Sequence, residues 1–335
     1  MALSNRLKNS SVLVLRKFGK VVRVLLPFRL SRTVLNFAYN SLPYKGKAAC
    51  YSAFAKMYRG TNPILEADWK VRFARKSIRL PLAGSSMWLD WDLAVSLVGH
   101  DSKVVRSYEL LLNSPFRPRV FFDVGANYGL HSLLFAMQGV RTVSFEPNPE
   151  CHDYLRQVAK MNHLNCDIQS LALGDKEDSA ELLFPHGETW LGSVDVGVQG
   201  ALTKQFTSFS KIRIARTTLD GFVEKSGNIP DLIKIDTEGS ELNVLRGARQ
   251  VLSKFHPAIV FECRSADGYR SDVHSFLSEM GYLVAGLPLH KLHGLRPLSL
   301  IEFEASDTED FVALPNGKLG GIGQEISVAS KPKVA

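Results

Sequence analysis

Apolar and polar positions are patterned most densely between Arg119 and Glu146. An apolar run, Val120-Phe121-Phe122, ends in Asp123 and a glycine turn from Gly125 to Gly129. Leu130, Leu133, Leu134 and Met137 then recur at helical spacing as far as Gly139, a C-cap residue. A second β-rich run, Val143-Ser144-Phe145, ends in Glu146. The order predicted is strand, tight loop, helix, strand. A parallel unit of this kind leaves its strand C-termini open as a crevice for a ligand.

The same reading extends along the chain. Tyr51, Phe54, Ala55 and Tyr58 have helical spacing, so their aromatic rings read as a packed face. Alternation over 69–82 predicts two short strands, and Asp101 opens a helix whose apolar face is Val104, Val105, Tyr108, Leu111 and Leu112. Asn148-Pro149 starts another helix that runs to about Asn162, followed by a strand near 167–171. Residues 180–218 read as three strands (180–184, 190–194 and 212–217) that interrupt the βα rhythm. Such an insertion is expected to carry substrate contacts. A fourth core strand over 231–236 leads into one helix with Leu242, Leu245, Ala248 and Leu252 on a single face. A fifth strand (258–262), a helix (271–280) and closing strands near 282–285 and 310–314 complete the predicted core.

Charge changes the picture at the N-terminus. The 335 residues carry a net charge of +8, but residues 1–65 hold twelve Lys/Arg and no Asp or Glu, leaving the remainder at −4. The expected organisation is a basic, partly helical arm (1–65), a catalytic domain (66–315, its core from about 100) and a flexible tail (316–335). Bases interrupt every apolar run in the first 30 residues, so neither a membrane span nor a signal peptide is expected. A basic amphipathic helix within residues 1–32 that lies on an anionic membrane fits better. The four cysteines lie far apart, which points to reduced thiols in a cytoplasmic protein, peripheral to the inner face of the membrane, and to no zinc site.

The chemistry begins with what the glycine turn lacks. A dinucleotide loop needs three glycines spaced G-x-G-x-x-G, whereas Asn127 occupies the middle position here. A loop led by Asp123 suits a cationic ligand, and S-adenosylmethionine is a sulfonium cation with a ribose and an adenine. Glu146, about 20 residues on, is where an acid can accept ribose hydroxyls. Ala172 and Leu173, at the third strand end, could support the adenine. Asp123, Glu146, Asp236 and Glu262 each end a predicted parallel strand, so they should share one sheet edge and repel one another. A sulfonium cofactor or a divalent metal would relieve that repulsion, and no metal ligand is assigned. Glu238 and Glu241 read equally as helix-dipole acids or as catalytic groups.

Phe122 to Gly129, Phe145-Glu-Pro-Asn148, Thr218-Leu-Asp220, Leu232 to Glu241 and Phe261-Glu262 together resemble the FkbM-family methyltransferases over roughly residues 100–315. The resemblance implies an α/β class I methyltransferase fold. That is a Rossmann-like, mostly parallel seven-stranded sheet with helices on both faces and an antiparallel last strand. It also implies S-adenosylmethionine as donor and O-methylation of a sugar, glycolipid or natural-product hydroxyl. By that matching Asp123, Gly125, Ala126, Asn127, Tyr128 and Gly129 form the cofactor loop, and Glu146 with Pro147 lies at the ribose. Asp236, Glu238 and Glu241 border the reaction centre. The general base is expected to be Asp236, then Glu238, then Glu262. A nucleic-acid methyltransferase is disfavoured, because Asp-Thr-Glu-Gly stands where an Asn/Asp-Pro-Pro-aromatic turn would hold a planar amine. The acidic catalytic half would also repel phosphates. A non-catalytic, membrane-associated cofactor-binding module remains the alternative.

Overall fold

The computed structural model describes residues 19–61, 65–84, 86–265, 268–290 and 295–316, so the expected tail and the first 18 residues of the arm lie outside it, apart from Asn316. The chain divides into two compact units, residues 1–109 with 157–164 and residues 110–156 with 165–335.

In the first unit, a helical stretch at 19–25 precedes α1 (Arg29–Ser41), α2 (Tyr44–Phe54), the strands β1 (Ala67–Phe73) and β2 (Lys76–Leu82), α3 (Met87–Gly99) and the start of α4 (Ser102–Leu112). The alternation read from 69–82 is an antiparallel hairpin that buries Trp69, Val71 and Phe73 against the same face as Ile78, Leu80 and Leu82. Tyr39 of α1 meets Trp69 at 5.7 Å between ring centroids, and Trp69 meets Trp91 at 5.3 Å. The Trp91 indole N–H donates to the Phe54 carbonyl at 2.7 Å. Residues read as a separate arm therefore share one aromatic core with the hairpin. Helix α3 went unread because it is apolar nearly all round and buried along most of its length, which erases the 3.6-residue alternation. All five apolar residues predicted for α4 are buried.

The second unit continues through β3 (Val120–Val124), α5 (Leu130–Ala136), β4 (Arg141–Phe145), α6 (Pro149–Met161), β5 (Cys166–Gln169), β6 (Ala172–Leu173), β7 (Asp178–Pro185), α7 (Val196–Gln205) and β8 (Phe209–Thr217). It closes with α8 (Leu219–Ser226), β9 (Leu232–Ile235), α9 (Glu241–Arg246), α10 (Arg249–Phe255), β10 (Ala258–Glu262), α11 (Tyr269–Glu279), β11 (Tyr282–Gly286), α12 (Leu300–Glu304) and β12 (Asp310–Pro315). Seven strands form one sheet in the order β11-β12-β10-β9-β3-β4-β5. Strands β10, β9, β3, β4 and β5 are mutually parallel, and β12 is antiparallel to both of its neighbours. The chain moves outward from β3 through β4 to β5, then returns to β9 on the other side of β3. Right-handed crossovers in opposite directions put their helices on opposite faces and open a crevice at the strand C-termini beside β3. This is the class I methyltransferase order.

Two expectations are corrected. Residues 190–194 form no strand. Thr189–Leu191 make a 3-10 turn, Ser193 makes only an isolated bridge to Leu183, and Asp195 then caps the unpredicted α7 by accepting from the Val198 amide at 2.9 Å. The insertion is a three-stranded sheet, β6-β8-β7. The single helix expected after β9 is two, α9 and α10. Leu242, Leu245, Ala248 and Leu252 are all buried as predicted. Between the helices, Gly247 passes so close to Gly174 that a Cβ would lie 1.9 Å from its carbonyl oxygen. Thr218 caps α8, while both Asp220 carboxylate oxygens accept the Gln250 and Val251 amides that open α10, so this motif fastens the two helices. Among the described residues no helix is long and apolar enough to cross a membrane.

Candidate active site

The loop after β3 is held from two sides. The Gly125 and Ala126 amides both donate to the Phe145 carbonyl (3.0 and 3.1 Å), and the Asp236 amide donates to the Val124 carbonyl at 3.0 Å. Gly125 has φ +78°, and a Cβ there would sit 1.8 Å from the Asp236 carbonyl oxygen, so only glycine lets the loop lie against the end of β9. Asn127 also adopts a left-handed conformation, φ 48°. Glu146, buried just past β4, fastens the loop: one carboxylate oxygen accepts the Asn127 amide and the other the Asn148 amide, each at 2.7 Å. Burial pushes the Glu146 carboxyl up to about 7, against the pull of those two amides. His152 holds the same corner, with Nε2 donating to the Glu146 carbonyl and Nδ1 facing the Ser170 hydroxyl.

Across the switch point lies a charged cluster. Asp236 follows β9, Glu238 is in the next turn with φ 54°, and Glu262 ends β10. One oxygen from each lies within 4.8 Å of the others. Lys234, two residues before Asp236 on the same face of β9 and itself buried, donates to Asp236 Oδ2 at 2.8 Å. Arg264 pairs with Glu238 and reaches Glu262 at 3.7 Å. Burial, then the Asp236 charge and a hydrogen bond shared with Asp236, push Glu262 up to about 10. Burial and Asp236 push Glu238 up to about 7. Burial and the neighbouring Asp236 therefore push Glu262 toward its protonated form, while the Lys234 ammonium lies against Asp236.

The insertion reaches both loops. The Ser193 hydroxyl donates to the Glu238 carbonyl at 2.8 Å, and Thr189 Oγ1 donates to the Tyr128 hydroxyl at 3.0 Å. The loop residues Ala126 and Tyr128 are buried, and Pro147 is half-buried. Gly129 ends the loop with φ +76°, its missing Cβ leaving room for the Leu155 side chain. Ala172 and Leu173 are buried as β6, paired to Arg216 and Thr217 of β8.

Two of the acids are also engaged within the fold. Asp123 lies inside β3, fully buried, and its Oδ2 accepts the Ser132 amide and hydroxyl at 2.9 and 2.6 Å. Through Oδ2 it ties β3 to α5, while its Oδ1 is buried without a hydrogen-bond partner. Glu241 closes the turn after β9. Its Oε1 accepts from the Thr237 amide and hydroxyl and the Gly239 amide, and its Oε2 from the Tyr269 hydroxyl. Lys234 and Arg264 were missed. Lys234 carried a legible signal, a charge inside an apolar strand two residues before an acid; Arg264 had none.

The sheet order is that of a class I methyltransferase, and the sequence comparisons give methyltransferases. The methyltransferase FkbM domain matches over residues 123–284. A hexuronic acid methyltransferase (AglP) from Haloferax volcanii is 30% identical over 173 residues, covering 51% of this chain and 66% of the relative. A methyltransferase (sdnD) from Sordaria araneosa is 25% identical over 198 residues, covering 51% of this chain and 76% of the relative. A solved FkbM methyltransferase from Methylobacillus flagellatus superposes with a TM-score of 0.38 at 16% identity, over 68% of this chain and 54% of that one. Residues 123–284 are an FkbM methyltransferase domain.

Proposed function

We propose that the chain is an S-adenosylmethionine-dependent O-methyltransferase acting on a hydroxyl of a sugar, glycolipid or natural product. The observation that carries this reading is the pairing of two differently prepared ends of one sheet. On β3 and β4, Glu146 holds a glycine loop and keeps one lone pair on each oxygen for ribose hydroxyls. On β9 and β10, a carboxylate cluster is balanced by two cations. The residues fit the cofactor: Gly125 leaves room that a side chain would fill, and the open Asp123 Oδ1 is a buried acceptor on the strand feeding the loop. Bound there through residues 125–129, Glu146, Pro147, Ala172 and Leu173, S-adenosylmethionine would supply an electrophilic methyl group on its sulfonium.

The chain's own part is to align the acceptor hydroxyl and take its proton, worth about 10²–10⁴-fold in rate for a positioned base. Asp236 is the first candidate, because the Lys234 ammonium donates to its Oδ2 at 2.8 Å and Glu262 beside it is pushed toward its protonated form. Glu238 is second, already engaged by Arg264, and Glu262 third, since it is pushed toward its protonated form. A divalent metal on Asp236, Glu238 and Glu262 is the second reading, favoured by the closeness of their oxygens. Lys234 and Arg264 occupy the role such an ion would play. The hexuronic acid relative supports a sugar acceptor. Mass spectrometry of glycans and glycolipids from cells with and without the protein tests the reading. A species one methyl heavier should depend on the gene. Cofactor binding without any methylated product, in cells or with extracted acceptors, would favour the non-catalytic binding module.

A further inference from the structure

Helix α1 is amphipathic the wrong way round. Its inward side carries Asn36 and Asn40, one turn apart, whose amides bond the backbone of β1: Asn36 Nδ2 and Asn40 Nδ2 both donate to the Lys70 carbonyl at 2.7 Å. The Lys70 and Arg72 amides donate back to Asn36 Oδ1 and Asn40 Oδ1 at 3.3 and 2.6 Å. The pair caps the open edge of the hairpin, a device that keeps a strand edge from pairing elsewhere. Between them, Tyr39 is buried in the aromatic core. The opposite side, spaced i, i+4, i+7, consists of Leu30, Val34 and Phe37, which are 79%, 61% and 74% exposed. Just upstream, Val24 and Phe28 are also well exposed. Exposed large apolar residues scattered singly need no explanation, but three on one helical stripe do.

The charge around this stripe says what covers it. Residues 1–65 carry twelve Lys/Arg and no acid; Arg29 opens α1 one residue before Leu30 and is exposed, and Lys20 and Arg23 are exposed in the helical stretch before it, Arg23 with its guanidinium over the Tyr58 ring. No residue of α1 is acidic. A helix with an apolar face outward and bases at its flank matches the boundary between headgroups and acyl chains of an anionic bilayer. We propose that Leu30, Val34 and Phe37 form a membrane-docking face that inserts into an anionic lipid surface, with Arg29 and the other bases of the acid-free N-terminal segment drawn to the headgroups. The face relocates the contact first expected within residues 1–32 to the first turns of a folded helix, and it stands independently of the methyl-transfer reading.

The test uses the full chain and vesicles of phosphatidylcholine with and without phosphatidylglycerol. The wild type should sediment with the anionic vesicles, lose most of that binding in high salt, and leave zwitterionic vesicles largely unbound. Leu30→Ser/Phe37→Ser should weaken binding by about tenfold or more. Its circular dichroism should stay unchanged, because neither side chain supports the core. In a separate variant, Phe37→Trp, emission at this site should shift to the blue with anionic vesicles, relative to the wild type. Equal binding of wild type and the double serine variant would overturn the proposal, as would an unshifted Phe37→Trp signal. If sedimentation velocity shows a wild-type dimer that the double variant dissolves, with vesicle binding unchanged, the face is a homotypic interface and the proposal is wrong.

Discussion

Replacing Glu146 by Gln removes one acceptor and one charge while keeping the shape. In the native structure two backbone amides, Asn127 N and Asn148 N, each donate to one carboxylate oxygen at 2.7 Å. A glutamine can accept from only one of them and must turn its NH2 toward the other or toward a ribose hydroxyl. A charge-assisted bond of this kind contributes about 1.5–3 kcal/mol, so S-adenosylmethionine affinity at pH 8 should fall about tenfold to a hundredfold. Calorimetric titration reads this directly. The pH dependence sharpens the test. The Glu146 carboxyl is pushed up to about 7, so by pH 6 the wild-type group is itself largely protonated and the affinity gap should narrow. Stability runs the other way. Between the ordinary carboxylate value and about 7 the folded wild type binds a proton that the unfolded chain has lost, so its Glu146-linked stability falls as pH rises. The variant has no such slope, and any stability deficit it shows should shrink toward pH 8. Unchanged affinity at pH 8 in a folded Glu146→Gln protein would show that Glu146 does not hold the ribose.

Asp236→Asn should lose at least about a hundredfold in turnover while cofactor affinity stays within a few-fold; near-normal turnover by methyl-transfer assay removes Asp236 as base. Glu262 and Glu238, pushed up to about 10 and about 7, hold protons in the folded state that the unfolded chain releases near its ordinary value. Thermal stability without ligand should therefore decline as pH rises above about 5, and Glu262→Gln should flatten that decline, as scanning calorimetry across pH would show. Gly125→Ala and Gly187→Ala both place alanine at positive φ, but only the first drives a Cβ to 1.8 Å from a carbonyl oxygen; at 187 nothing lies within 4 Å. The Gly187 variant should cost about 1–2 kcal/mol in denaturant unfolding and the Gly125 variant clearly more; equal losses would show that the loop is not clamped against β9.

The parts of the fold that were legible in the sequence are those where local pattern and tertiary environment agree. Strands β3, β4, β9 and β10 were readable because each is a short apolar run bounded by an acid or a turn, and α4 because one face is buried. Helix α3 was hidden by burial on all sides, and α7 by a weakly patterned sequence whose start depends on the Asp195 cap. The break at Gly247 depends on Gly174, more than seventy residues away, and no local pattern reports that contact. At the site, the positions of Glu146, Asp236 and Glu262 follow from strand ends alone. Which acids face one another does not. Asp123 and Glu241 have the same residue type and nearly the same spacing as the others, yet their carboxylates are taken by Ser132 and by the turn after β9. Lys234 was readable from its register with Asp236, whereas Arg264 enters from a loop whose course only the folded chain determines.

In the proposed arrangement one crevice holds the cofactor between Glu146 and the Asp236 cluster. A crystal structure of the full chain with S-adenosylhomocysteine tests it most directly. The ribose hydroxyls should lie on the Glu146 carboxylate, the amino-acid portion along residues 125–129, and the sulfur facing the side of the crevice where Asp236, Glu238 and Glu262 meet. Ligand bound elsewhere, or a ribose that leaves Glu146 untouched, would contradict it.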